Sequence, residues 1–131
     1  MRRLPRAAVR EVIIDELEDV VPSDRIFATG DIDTPQGSTP FIVVKWLDAT
    51  KTFVAHGSAR FDVWVYDPQK TLSRIDDIVS RLINAFVNVE HHLGLDGVPL
   101  TQVDWLTTSQ DLYDDVFKAQ LKRATFSIPT S

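Results

Sequence analysis

Apolar residues in the first part of the chain recur with the spacing of one helix face. Val9, Val12, Ile13, Leu17 and Val20 fall at i, i+3, i+4, i+8 and i+11, which predicts a helix over residues 5–21. Pro5 suits a first helical position, where its missing N–H is no loss, and Pro22 ends the run. A wider stripe follows later: Leu72, Ile75, Val79, Leu82 and Phe86, with Ile78 and Ile83 beside it. It predicts a second helix, with Asp67 as N-cap and Pro68 as first residue, fading near Asn88 before a turn marked by Gly94 and Gly97.

Between and after the helices the period drops to two. Residues 60–66 alternate cleanly, with Phe61, Val63 and Val65 on one face and Asp62, Trp64 and Tyr66 on the other. Two large aromatics on that second face imply that it too is covered, by this chain or by another. Residues 41–47 are β-branched and aromatic and predict a strand, and Ile26, Phe27 and Ala28 a short one. Turn chemistry places a turn at 29–31, a connector at 35–40 and a long hairpin arm with a mobile tip at 48–58.

Residues 100–107 predict a further strand, 108–115 a mobile polar stretch and 116–128 a long final strand. In that last strand Phe117, Ala119 and Leu121 are odd-numbered, while Ala124, Phe126 and Ile128 are even-numbered. One buried face with a change of phase predicts a β-bulge near Lys122 and Arg123. The sum is one α+β domain over residues 1–131, in the order α-β-β-β-α-β-β. It has a curved, mixed but mainly antiparallel sheet with both helices on one face.

At 131 residues the chain has the length of one domain, and its 44% apolar and 25% charged residues are ordinary for a packed globule. It has no cysteine, which excludes disulfides, thiolate catalysis and thiolate metal sites. Apolar runs such as Phe41 to Val44 are too short to span a bilayer. The basic start is interrupted by Arg6, Arg10, Glu11 and Asp15 before any signal-like apolar run develops, so synthesis in the cytosol is expected. A formal net charge of −5 argues against gripping nucleic acid through its phosphates, but not against a surface that nucleic acid slides past.

Candidate chemistry is sparse. His91 and His92 are adjacent, and their side chains diverge, so they make a poor chelate; a helix-end loop is the simpler account. His56, Gly57 and Ser58 lack any nucleophile-elbow or triad spacing. Asp104, Asp111, Asp114 and Asp115 lack the alternation of a calcium loop; they suit a solvated acidic loop, or a salt-bridge or weak ion site at a chain interface. Gly94 to Gly97 is too short for a phosphate loop. No cofactor is implied.

What remains is surface. Arg2, Arg3, Arg6 and Arg10 crowd the start of the first helix and Glu16, Glu18 and Asp19 its end, both against the helix dipole. Either packing outweighs this, or each end meets a partner of opposite charge. Trp64 and Trp105 lie beside polar neighbours in strands. The core is the default for a tryptophan, and an interface anchor is the alternative.

The layout resembles the tail terminator, or tail completion, proteins of long-tailed phages. Three stretches carry the resemblance: Phe61-Asp62-Val63-Trp64-Val65-Tyr66-Asp67, the amphipathic helix after it, and Leu112-Tyr113-Asp114-Asp115-Val116-Phe117-Lys118-Ala119-Gln120-Leu121. The last is especially similar to versions from phages of actinobacteria. The resemblance implies a non-enzymatic structural protein of the virion. It would form a ring, usually hexameric, on the head-proximal end of the tail tube. That ring would stop tube polymerisation, offer the surface that joins the head, and pass DNA through its lumen without binding it specifically.

Implied partners are further copies, the major tail tube protein and a head-completion or neck protein, with assembly in the host cytoplasm and no membrane. Candidate interface residues are Arg6, Arg10, Trp64, Trp105, Tyr113, Asp114 and Asp115. Asp111, Asp114 and Asp115 would repel phosphate if they faced the lumen. Two alternatives stay open. One is a neck or head–tail connector protein. The other is a small α+β enzyme or ligand-binding domain, in which His56, His91 or the aspartates converge in a pocket between sheet and helices.

Overall fold

The computed structural model describes residues 4–28, 39–47, 58–89, 92–93, 99–100 and 102–129. The expected turns at 29–31 and at Gly94 and Gly97, most of the connector at 35–40, nearly all of the arm at 48–58, and His56 and His91 lie outside them.

Helix α1 spans Arg6–Leu17 and buries Ala8, Val9, Val12, Ile13 and Leu17. It is shorter than the periodicity predicts, because the Leu17 carbonyl accepts from both the Val20 and Val21 N–H groups and tightens the chain into a turn. Strand β1, Ile26–Ala28, runs parallel to β2, Phe41–Trp46. Arg25 holds the approach to β2 by donating to the carbonyls of Thr39 (2.9 Å) and Pro40 (3.3 Å). Strand β3, Ser58–Asp67, lies antiparallel to β2.

Helix α2 spans Ser73–Val87, later than expected. Asp67 does not cap it. The carboxylate is buried at the end of β3, where it accepts from the Gln69 N–H at 2.9 Å and from Arg74 Nε and Nη2 at 2.8 and 2.5 Å. A two-fold ion pair with a residue of the first helical turn thus sets where α2 begins. Ile75, Ile78, Val79, Leu82 and Phe86 form its buried face, as their spacing predicts.

The expected strand at 100–107 is divided. Gln102 takes a positive φ of 52°, and a break there separates β5, Pro99–Leu100, which pairs with β4, His92–Leu93, from β6, Asp104–Thr108. The polar stretch after it contains β7, Leu112–Asp114. A four-residue turn ending at Lys118, also at positive φ (53°), leads into β8, Ala119–Pro129. Val116 therefore sits in a turn rather than a strand.

The main sheet has the order β1-β2-β3-β8-β6, with β7 also on β8. Because β3 occupies one side of β8 throughout, β6 and β7 follow one another along its other side. The fold is thus mixed α+β, with a mainly antiparallel open sheet.

The expected bulge in β8 is absent, since β3 and β8 pair in unbroken register from Ser58↔Pro129 to Asp67↔Gln120. The phase change has another cause: the strand serves two cores. Ala124, Phe126 and Ile128 face the helices, in the cluster with Phe61, Val63, Ile13 and Leu82. Ala119 and Leu121 face the other side, with Phe41, Val43 and Tyr66. The register shift lies instead in β6, between Trp105 and Thr107, where Leu106 is the extra residue.

Candidate functional site

The seven candidate residues separate onto three parts of the molecule. Arg6 and Arg10 belong to α1 and flank a groove of about 390 Å³ at the β1 border, walled also by Ile26, Ala28, Val44 and Trp46. The Arg6 guanidinium lies 5.4 Å from the Trp46 ring centroid, and Arg10 donates to the Ser23 carbonyl at 2.9 Å. Trp46 closes the groove floor by packing on Phe61 at 5.0 Å. The result is an apolar trough with two exposed cations on its rim.

Trp64 sits mid-sheet on the face away from the helices. Its ring lies between Lys45 Nζ at 4.2 Å and the Arg123 guanidinium at 5.3 Å, so its own chain covers much of it. The indole N–H and Arg123 Nε are buried without a hydrogen-bond partner among the described residues. Beside it Phe41 stacks on Tyr66 at 4.6 Å, and Phe117 from the β7–β8 turn closes over both at 5.2 and 5.4 Å. Burial, with the charge of Asp114 adding to it, pushes the Tyr66 phenol above the ordinary tyrosine value.

Trp105, Tyr113, Asp114 and Asp115 lie along the opposite border, in β6, β7 and the turn after it, with Trp105 opposite Phe126 and Tyr113 opposite Gln120 of β8, about 20 Å apart along that strand. Trp105 is 47% exposed and Tyr113 55%, although the Trp105 indole N–H reaches Thr108 Oγ1 at 3.0 Å. Three residues missed from the sequence extend this surface: Leu106 at 46%, Leu112 at 36% and Val116 at 81%. The bulge exposes Leu106 and the turn exposes Val116, and neither feature shows in hydrophobic periodicity.

Asp114 accepts from the Phe117 N–H at 2.8 Å, which pins the turn, while Asp115 is exposed. Asp111 is engaged with Lys122 at 3.1 Å, alongside Asp76 at 2.8 Å. These two carboxylates, Asp76 first, raise the Lys122 pKa.

The charges of α1 meet different fates. Its acidic end has found an opposite charge within the chain: Arg81 of α2 donates to the Glu16 carbonyl, to Glu16 Oε1 at 3.2 Å and to Asp19 Oδ1 at 2.7 Å. That hydrogen bond holds Asp19 below the usual carboxylate range and raises Arg81 further. Of the basic end, Arg6 and Arg10 remain exposed.

No group of three or more metal-binding side chains converges among the described residues, and no described helix is long and apolar enough to cross a membrane. No family model matches the chain, and no curated protein does. Among solved structures, one without a descriptive name is similar over 96% of this chain and 92% of its own, with a TM-score of 0.65 and 16% identity. At that identity the likeness establishes the fold alone.

Proposed function

We propose that this chain is a tail terminator, a structural subunit of a long-tailed phage whose ring closes the head-proximal end of the tail tube and receives the head. The three stretches that carry the resemblance support it: β3 at the centre of the sheet, α2 against it, and the segment from β7 into β8. The observation that carries it is the border of β6 and β7, where Trp105, Leu106, Leu112, Tyr113 and Val116 are left in water. Such a row of apolar side chains on an open sheet edge is a surface for another protein chain. Neighbouring subunits and the adjoining tube would supply it, burying on the order of 1,200 Å² or more per contact.

Deletion of the gene from the phage that encodes it tests this directly. Overlong tail tubes are expected. Tails of normal length beside unattached heads would instead support a connector protein of the neck, and unaltered virions would reject both.

The groove beside Arg6 and Arg10 favours a second reading, a domain that binds a small anionic ligand. None of the aspartates lines it. That reading predicts saturable binding of such a ligand, abolished by Arg10→Ala.

A further inference from the structure

The groove and the apolar edge sit on opposite borders of one sheet, β1 at one end of the strand order and β6 with β7 at the other. Their chemistry is complementary. The groove offers an apolar trough rimmed by Arg6 and Arg10. At the β7 end of the edge stand Tyr113, Asp114 and Asp115, with Lys118 the opposing charge in the same turn, while Asp104 and Trp105 lie about 20 Å further along it. From this we infer that the β7 end of the edge of one copy seats in the α1–β1 groove of the next, the Tyr113 ring in the trough and Asp114 and Asp115 against Arg6 and Arg10. The occupant of the groove is thus a second copy of this chain, in the ring that the proposed function calls for.

Self-repulsion decides the geometry. Groove against groove would oppose four guanidinium groups, and edge against edge would oppose two sets of carboxylates, so a two-fold contact is disfavoured on either surface. Groove against edge is attractive. Each copy has one of each, on opposite sides, so the contact propagates head to tail and ends only when a ring closes.

The absence of cysteine from the chain makes this testable by cross-linking, because introduced thiols are the only ones. Ala28→Cys, on the groove wall, and Tyr113→Cys, on the edge, are both exposed positions whose replacement leaves the core intact. Under mild oxidation each single variant is expected to stay uncross-linked, whereas a mixture of the two yields a covalent dimer. The double variant yields a ladder that stops at the closed ring. A companion variant, Arg6→Glu with Arg10→Glu, is expected to weaken self-association by about tenfold or more with unchanged helix content.

Either single variant linking to itself would overturn the head-to-tail geometry. Rings that form without the mixed cross-link and survive the charge reversal would overturn this interface and leave the ring intact. A chain that assembles neither alone nor on tail tubes would overturn both.

Discussion

Two aromatic clusters in this molecule have the same chemistry and opposite surroundings. Phe61, Phe86 and Phe126 lie 4.9 to 5.3 Å apart, centre to centre, and are fully buried between the sheet and α2. Trp105 and Tyr113 stand on the border of the same sheet, about half in water. The first cluster is finished within one chain. The second is left open to water. Side-chain type alone therefore does not say which aromatics hold the fold and which stand in water; position in the strand order does.

Substitutions should separate the two. Phe126→Ala removes a buried ring from the closed cluster and is expected to cost about 3–5 kcal/mol of folding stability, read by urea unfolding. Next is Arg74→Ala, which strands the buried Asp67 carboxylate. Arg74 is itself 30% exposed and water can reach the gap, so the expected loss is about 2 kcal/mol. Trp105→Ala with Tyr113→Ala should change the stability of the isolated subunit by no more than about 0.5 kcal/mol per site, while abolishing association. Large destabilisation from the edge pair would erase the distinction.

The smallest effect belongs to the α1–α2 clasp. Asp19 is held below its ordinary value by Arg81, so the folded state binds its proton more weakly than the unfolded chain does. The contribution is therefore present at neutral pH and disappears as pH falls through the depressed folded value. Chemical unfolding of the wild type and of Asp19→Asn should differ slightly at neutral pH and converge in acid. A gap that widens in acid would contradict the clasp.

Much of the fold was legible in the chain, because its helices each bury one face. Val9, Ile13 and Leu17, and Ile75, Leu82 and Phe86, are buried as their spacing predicts. The alternation of Phe61, Val63 and Val65 likewise marked the central strand. The errors cluster where a local rule met a tertiary one. The phase change in β8 suggested a bulge because one buried face was assumed, whereas Phe117, Phe41 and Tyr66 make a second core on the far side. Asp67 looked like a cap because it precedes a proline, yet Arg74 claims its carboxylate.

The candidate site was legible only in parts. Trp64, Trp105 and Tyr113 were all singled out, but Trp64 is partly buried by its own chain, beside Lys45 and Arg123. Nothing local to Arg6 and Arg10 reveals that they border a groove, because its far wall comes from β1 and β2. Opposition of the two surfaces across the sheet is a property of strand order, which no single segment encodes.

Sedimentation over a range of concentrations, comparing wild type with the Trp105→Ala, Tyr113→Ala variant, bears most directly on whether the β6–β7 border is completed by another copy. A closed assembly for the wild type, and a monomer at every concentration for the variant, is the predicted result. Equal assembly of the two proteins, or a wild type that stays monomeric even beside tail tubes, would contradict it.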